Sequence, residues 1–102
     1  MGSTGGGETV IDNVAAHRFE VVVDGERPHL VYRRNAQRLV LVHTEVPEQL
    51  SGRGIGGRLV EAAIDAAAAE GLTVVPNCPF AASWLRTHPE VAGLVTIDWP
   101  QQ

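Results

Sequence analysis

The sequence predicts an α+β fold, and three features of the chain lead to this prediction. Up to residue 45, apolar and polar side chains alternate in short segments, which is the pattern of β-strands. Residues 54–70 are rich in alanine and repeat their apolar residues at helical spacing. A further short apolar segment at residues 72–76 follows this helix. Together these features predict a mixed sheet, partly antiparallel and partly parallel, with one main helix and one short helix.

The first predicted strand covers residues 13–23. Phe19, Val21 and Val23 share one of its faces, as expected for a strand with one buried side. The sequence Asp24-Gly25-Glu26 is typical of a turn, and it ends this strand.

Two more strands follow at short intervals, at residues 29–34 and 38–45, with a turn at residues 35–37 between them. Residues 39–42 are apolar without alternation, which predicts a central strand that is buried on both faces. Three short strands with tight connections predict an antiparallel meander.

The main helix is predicted at residues 54–70. Pro47 ends the preceding strand because proline cannot donate to a sheet, and Gly71 is the stop signal of the helix. Because this helix separates residues 38–45 from the strand at residues 72–76, the two strands are predicted to be parallel neighbours.

The rest of the chain predicts smaller elements. A second helix is expected at residues 79–87, with a break at His88-Pro89. Residues 94–98 are predicted to form either a last short strand or an extended tail. We expect residues 1–8 to be a flexible tail, which leaves residues 9–102 as a single domain.

The composition argues against several classes of protein. A net charge of -4 does not suit nonspecific nucleic-acid binding, which depends on a basic surface. The apolar runs are far shorter than the roughly 20 residues that span a bilayer as a helix, and residues 1–7 lack the features of a signal peptide. The single cysteine, Cys78, forms no internal disulfide and suits a reducing compartment, so a cytoplasmic location is expected.

The most informative segment is residues 51–57, Ser-Gly-Arg-Gly-Ile-Gly-Gly, at the start of the main helix. Glycines allow a ligand to approach the main chain closely. The first N–H groups of a helix have no intrahelical partner and favour an anion. This loop therefore predicts a phosphorylated ligand.

Other interpretations of this loop are weaker. Residues 52–57 also satisfy the pattern G-x-G-x-x-G, but antiparallel strands precede them and too little chain follows for a dinucleotide-binding sheet. No Gly-Lys-Ser/Thr follows, which excludes a P-loop. A connection that serves packing alone is the remaining alternative.

The loop resembles motif A of the GNAT superfamily, the acetyl-coenzyme A-dependent N-acetyltransferases. That motif reads Arg/Gln-x-x-Gly-x-Gly/Ala and follows a strand with a Val-x-Pro-like step. Val46-Pro47 supplies the step, and Gly54 and Gly56 supply the two small positions. Ser51 stands where the family has arginine or glutamine, which removes a long polar side chain.

The resemblance extends over residues 15–95 and points to the small single-domain GNAT-like subfamily. The matching blocks are His43-Thr44-Glu45-Val46-Pro47, the glycine loop, Pro76-Asn77-Cys78-Pro79-Phe80 and His88-Pro89-Glu90. Trp84 stands where this subfamily often carries tyrosine.

By resemblance, acetyl-coenzyme A lies between the third and fourth strands. The backbone of Thr44, Glu45 and Val46 would pair with the amides of the pantetheine arm, as an added strand would. The loop and the residue after it would hold the pyrophosphate, and Arg53 and Arg58 would add charge-assisted contacts. The residues of this predicted site are Ser51, Gly52, Arg53, Gly54, Ile55, Gly56, Gly57 and Arg58.

Cys78 is the first candidate for a catalytic residue. It precedes Pro79 at a predicted helix N-terminus, where the helix dipole favours a thiolate. In the subfamily that this chain resembles, this cysteine is the suspected catalytic residue. It would either accept the acetyl group covalently or protonate the departing coenzyme A thiolate. The alternative is a small buried apolar residue.

His43 is the second candidate. It is predicted to share a strand face with Leu39, Leu41 and Glu45. It would act as the base for the acceptor amine or as the partner that activates Cys78, and Glu45 is a weaker candidate for the same task. A structural histidine is the alternative.

Three further residues, Phe80, Trp84 and His88, are predicted mainly to stabilise the fold. Phe80 and Trp84, at helical spacing i and i+4, are predicted to anchor the core or to line the acyl pocket. His88 is predicted to cap or pack. The sequence has no cysteine pair and no clustered carboxylates, so no metal site is expected.

These features predict an N-acetyltransferase that moves an acetyl group from acetyl-coenzyme A to a primary amine of a small molecule or polypeptide. The alternative is a coenzyme A-binding or acyl-coenzyme A-binding module with little turnover, and a redox-sensing thiol protein is a third, weaker interpretation. Neither a nucleic-acid nor a membrane partner is expected. The expected oligomeric state is a monomer or a weak dimer.

Overall fold

The alternating segments and the alanine-rich segment fold into one mixed sheet with helices on one of its faces, in a computed structural model that describes residues 9–100. The strands are β1 Ile11–Asn13, β2 Arg18–Glu20, β3 His29–Arg34, β4 Arg38–Glu45 and β5 Thr73–Pro76, and the helices are α1 Ile55–Glu70, α2 Pro79–Arg86 and α3 Pro89–Ala92. The strand order is β1-β2-β3-β4-β5, antiparallel from β1 to β4 and parallel between β4 and β5. The predicted α+β class and mixed sheet are therefore confirmed, while the tail predicted at residues 1–8 lies outside the described residues.

Of the single strand predicted at residues 13–23, only residues 18–20 form a regular strand beyond Asn13, the last residue of β1. The side chain of Asn13 accepts a hydrogen bond from Ala16 N–H at 3.2 Å, which closes a 3-10 turn over Val14–Ala16. His17 then takes a left-handed conformation with φ 57°. The chain thus reverses between β1 and β2, while Val21 and Val23 remain buried as their alternation predicts.

The pairing of β3 with β4 contains a β-bulge. Tyr32 lies opposite Leu41, but the preceding residue of β3, Val31, lies opposite His43. Val42 is therefore an extra residue on β4 without a partner on β3.

This bulge reverses the faces on which the last residues of β4 point. Leu39 and Leu41 are buried in the core, and beyond the bulge it is Thr44, opposite the buried Leu30, that lies on the core side. His43 is exposed on the other face of the sheet. The prediction that His43 shares a face with Leu39 and Leu41 is therefore wrong, because side chains alternate strictly only along an unbulged strand.

The outer face of the sheet is more open than the sequence predicts. In the run at residues 39–42, Leu39 and Leu41 are 2% and 0% exposed, whereas Val40 and Val42 are only half-buried. Helix α1 contacts β2, β3, β4 and β5, and α2 contacts β4 and β5. The core accordingly lies between one face of the sheet and these two helices.

Helix α1 begins and ends as predicted. Gly54 caps its start with φ 75° and Gly71 ends it with φ 69°. Leu59, Val60 and Ile64 on its apolar face are completely buried. The predicted parallel pairing of the strands on either side of this helix is confirmed.

The C-terminal part follows the prediction with one addition. Helix α2 occupies the predicted place and ends before the predicted break at His88-Pro89, where the unpredicted short helix α3 begins. Ile97 forms only an isolated parallel bridge with Val74, so the extended alternative applies. No helix within residues 9–100 is long and apolar enough to cross a bilayer.

Candidate functional site

A cleft opens where β4 continues past the end of β5. The pairing of these strands ends at Leu41 and Pro76, and Cys78 N–H then donates to Leu41 O at 2.9 Å. Beyond this point β4 runs on to Glu45 with no described strand beside it on that edge. The backbone groups of this edge are therefore open to pairing with a ligand.

A cavity of 480 Å³ begins at this open edge and extends to the start of α1. Its volume falls in the range of small-molecule sites. Its lining is mostly apolar and carries no ionisable side chain: Thr44, Val46, Leu50, Ser51, Gly52, Gly54, Ile55, Gly56, Gly57, Phe80 and Trp84. Eight of the eleven predicted cofactor-binding residues line this cavity.

The N–H groups of residues 52–57 remain available to a ligand. Within the described part of the chain, none of them donates a hydrogen bond to a backbone carbonyl. The amides on either side are satisfied, since Ser51 N–H donates to Glu48 O at 3.0 Å and Arg58 N–H to Gly54 O at 3.1 Å. A cluster of free amides at a helix N-terminus favours an anion such as a phosphate.

The glycines of this loop have two different roles. Gly52 and Gly54 have φ of 82° and 75°, a left-handed conformation that side chains other than glycine rarely adopt. Gly56 and Gly57 instead allow α2 to pack closely on α1: an added Cβ would lie 2.7 Å from Phe80 Cζ or 2.4 Å from Trp84 Nε1.

Cys78 is placed behind the cavity wall. It is only 2% exposed and does not line the cavity. Its Sγ lies 3.2 Å from Oγ1 of Thr44, a residue that does line the cavity. As predicted, Cys78 directly precedes helix α2, with Pro79 at the first helical position.

The structure does not bring His43 and Cys78 together. His43 Nε2 lies 2.8 Å from Glu45 Oε1, and both side chains are about 60% exposed on the outer face. Cys78 meets Thr44 on the core side. The hypothesis that His43 activates Cys78 is therefore wrong, whereas a role of His43 as a base toward an acceptor remains a prediction.

One side chain of the loop and one that precedes it contact the hairpin between β2 and β3. Arg53 pairs with Asp24 at 3.0 Å, and Gln49 Nε2 donates to Glu26 Oε2 at 3.1 Å. Arg58 is half-buried in the first turn of α1 and is not part of the cavity lining.

Helix α2 supplies the aromatic wall of the cavity. Phe80 is 44% exposed. Trp84 stacks on His88 with ring centroids 3.8 Å apart and an interplanar angle of 11°, which agrees with the packing role predicted for His88. Leu50 also lines the cavity. The sequence does not predict this role, because a lone leucine after Pro47 gives no signal of its own.

Two ionisable groups with clearly shifted pKa values lie away from the cavity. Hydrogen bonding from Asn13 and the guanidinium of Arg18 lower the pKa of Glu20 against the opposing effect of burial. Burial and a hydrogen bond of 2.5 Å to Asp12 raise the pKa of Tyr32 to about 12. Within residues 9–100, no three His, Cys, Asp or Glu residues form a group that suits a metal ion.

The chain is similar in sequence to several known proteins. A family model described as GCN5-related N-acetyl-transferase matches residues 18–94. Protein NATD1 of Mus musculus and that of Gallus gallus are each 35% identical over 75 residues, which is 71% of this chain and 68% of each relative. Protein NATD1 of Homo sapiens is equally similar, with 66% of its length covered.

A solved structure has the same fold. It is an NMR solution structure from Staphylococcus aureus, described as a candidate GCN5-like N-acetyltransferase. The TM-score is 0.67 at 20% sequence identity, and the match covers 92% of this chain and 91% of the other. At this identity the likeness bears on the fold alone.

Proposed function

The chain belongs to the GCN5-related N-acetyltransferase family, and from this premise we propose that it transfers an acetyl group from acetyl-coenzyme A to a primary amine. The acceptor is an amine of a small molecule or of a polypeptide. The family gives the class of reaction, and the cleft beside β4 supports the choice of acyl donor.

One observation carries this proposal. The loop at residues 52–57, whose N–H groups have no backbone acceptor, borders the same cavity as the open edge of β4. Coenzyme A has a diphosphate joined to an arm with two amides, so it needs an anion site followed by an extended backbone edge. The loop suits the diphosphate, and Thr44, Glu45 and Val46 suit the pantetheine amides.

The acceptor amine then attacks the thioester carbonyl, and the coenzyme A thiolate departs. This step requires that the amine be neutral and that the thiolate be protonated. His43 and Glu45 form a pair on the outer face of β4, and we assign them the removal of a proton from the amine. Cys78 lies on the core side of β4, behind the cavity wall, and we assign it to the protonation of the departing coenzyme A thiolate.

A coenzyme A-binding module with little turnover is the second candidate. The cavity lining lacks an ionisable side chain, and Cys78 is shielded from it. Ser51 also supplies no long polar side chain to the diphosphate. These observations favour binding over catalysis.

Calorimetry and a thiol-release assay separate the two candidates. The enzyme is expected to bind acetyl-coenzyme A and to release thiol above the uncatalysed rate when mixed primary amines are added. Binding without amine-dependent release would support the module. Absence of binding would exclude both.

Substitution of Ser51 tests the location of the diphosphate. Ser51→Arg introduces a cation at the exposed start of the loop, and we expect it to tighten coenzyme A binding about tenfold. Ser51→Glu is expected to weaken it by a similar factor. Ser83, exposed on α2 outside the cavity lining, is the control position for the same two changes.

A further inference from the structure

The thiol of Cys78 is buried, yet it contacts one side chain that reaches the cavity. Cys78 is 2% exposed, and its backbone N–H is held by Leu41 O at 2.9 Å. Its Sγ has a polar contact with the hydroxyl of Thr44 at 3.2 Å. Thr44 is half-buried and lines the cavity, so its side chain joins the buried thiol to the cavity wall.

The bulge at Val42 creates this arrangement. Without the extra residue, the side chain at position 44 would point to the outer face of the sheet, because neighbouring side chains of a strand alternate. With the bulge, Thr44 lies opposite Leu30 on the core side, toward Cys78. The irregularity of β4 thus re-aims one hydroxyl toward the thiol.

We propose that the Thr44 hydroxyl relays a proton from the Cys78 thiol to the departing coenzyme A thiolate. This inference rests on the proposed function and adds to it a catalytic role for the side chain of Thr44. A hydroxyl suits the task because it donates one hydrogen bond while it accepts another. Serine shares this ability, and valine, which has almost the same shape as threonine, does not.

The proton balance of the relay is complete. When the carbon–sulfur bond of the tetrahedral adduct breaks, the coenzyme A sulfur takes the proton of the Thr44 hydroxyl. That oxygen takes the proton of Cys78 Sγ, which becomes a thiolate. The amine nitrogen loses one proton to the pair of His43 and Glu45, which passes it to solvent, and after coenzyme A leaves, one proton returns from solvent through the Thr44 hydroxyl to Cys78. The net products are the amide and free coenzyme A thiol, with both side chains restored.

The relay also explains how a thiol can act without entering the cavity. A covalent acetyl-cysteine would require Cys78 Sγ to reach the thioester carbon, and its burial behind the cavity wall opposes this. A proton needs only a chain of hydrogen bonds.

Four variants of the whole chain test the relay: Thr44→Val, Thr44→Ser, Cys78→Ala and the double variant Thr44→Val/Cys78→Ala. Steady-state thiol release, calorimetric binding of coenzyme A and pH–rate profiles are measured for each. Thr73→Val is the matched control, because it removes a hydroxyl from a half-buried strand position outside the cavity.

We expect Thr44→Val and Cys78→Ala each to lower kcat about 10²-fold, the lower range for loss of a general acid. Coenzyme A affinity should stay within about twofold of the unaltered protein, as it would for a loss specific to the transition state. Thr44→Ser should recover most of the activity. The double variant should be no slower than either single variant, since the two groups act as one unit. The pH–rate profiles of Thr44→Val and Cys78→Ala should match each other and differ from that of the unaltered protein.

Other results would overturn the relay. Multiplicative losses in the double variant, failure of serine to rescue, or an unchanged kcat in Thr44→Val would each do so while the proposed function stands. A purely structural role of Thr44 predicts instead lower thermal stability and an unaltered pH profile. If the unaltered protein binds coenzyme A but releases no thiol with any amine, the proposed function and the relay are both excluded.

Discussion

The indole nitrogen of Trp84 occupies the space that a side chain at residue 57 would need. A Cβ on Gly57 would lie 2.4 Å from Trp84 Nε1 and 2.9 Å from Trp84 Cε2. Trp84 is itself stacked on His88, so the indole has little freedom to move away. This contact sets both the packing of α2 on α1 and the shape of the aromatic wall of the cavity.

Gly57→Ala is therefore expected to destabilise the protein by about 1–3 kcal/mol, the usual range for overpacking. Inside a helix the same change normally stabilises by roughly 1 kcal/mol, so packing and helix propensity predict opposite signs. Urea unfolding measures the free energy, and calorimetry measures coenzyme A affinity, which should also fall.

Gly56→Ala is the matched comparison. A Cβ there would meet the far end of the Phe80 ring at 2.7 Å, and this ring is 44% exposed and can turn toward solvent. The loss of stability should be clearly smaller than for Gly57→Ala. Equal losses at both positions would contradict the role that we assign to the stacked Trp84.

Because Arg53 forms an ion pair with Asp24, we expect Asp24 to compete with the proposed diphosphate for this guanidinium. Both side chains are more than half exposed, and their atoms lie 3.0 Å apart. Asp24→Asn should free Arg53 and remove a negative charge near the proposed diphosphate. Asparagine tolerates the positive φ of 52° at this position, so the turn should persist. We expect coenzyme A binding to tighten about two- to fivefold at low salt, in the range of exposed ion pairs.

The salt dependence of coenzyme A binding tests whether the gain in Asp24→Asn is electrostatic. The gain should largely disappear in about 1 M salt, where the screening length falls to roughly 3 Å. Asp65→Asn on α1 removes the same charge from an exposed site away from the loop and is the control. An equal gain in this control would mean that net charge, and not the release of Arg53, is responsible.

Most of the elements could be predicted from the sequence because they combine a clear period with clear end signals. The strands β3 and β4 and the helix α1 lie where the apolar residues, glycine and proline predict them. Residues 13–17 could not be predicted in this way. Their turn depends on one hydrogen bond from Ala16 N–H to the Asn13 side chain, which no periodicity reveals.

The bulge at Val42 could not be predicted either, and it affects the site more than the turn at residues 13–17 does. It lies at the end of an apolar run that has no alternation, and its extra residue is not a glycine, so the sequence carries no sign of it. Strand alternation without a bulge therefore predicts His43 on the core face, where the structure does not have it. The backbone part of the site was accessible to prediction because glycines mark it, whereas the contact between Thr44 and Cys78 depends on tertiary register.

The chain has one tyrosine and no lysine, which makes its alkaline behaviour easy to interpret. Burial and the hydrogen bond to Asp12 raise the pKa of Tyr32 from 10.0 to about 12. A raised pKa in the folded state means that this tyrosine stabilises the fold fully below pH 10.0 and loses its contribution as the pH rises toward about 12.

The free energy of unfolding should therefore fall over this interval in the unaltered protein. In Tyr32→Phe the fall should be clearly smaller. Tyrosinate absorbance near the end of the interval reports Tyr32 directly, since no other tyrosine is present. Titration of Tyr32 at its ordinary pKa in the folded protein would contradict the buried hydrogen bond.

The carboxyl of Glu20 is expected to make the stability of the fold depend on pH in the acidic range. It is only 6% exposed and accepts hydrogen bonds from Asn13 Nδ2 at 3.0 Å and Arg18 Nε at 2.9 Å. These contacts, that from Asn13 foremost, lower the pKa of its carboxyl below 4.5. A lowered pKa means that the contribution is present above pH 4.5 and is lost as the pH falls through the lower folded-state value.

Glu20→Gln should therefore lower the free energy of unfolding at pH 7 by about 1–3 kcal/mol, as expected for hydrogen bonds to a charged group. The difference from the unaltered protein should shrink as the pH falls below 4.5, because the unaltered carboxyl then becomes protonated too. Glu61→Gln on the exposed side of α1 is the control. A difference between Glu20→Gln and the unaltered protein that stays constant from pH 7 to pH 3 would show that shape, and not the charge of Glu20, holds β1 against β2.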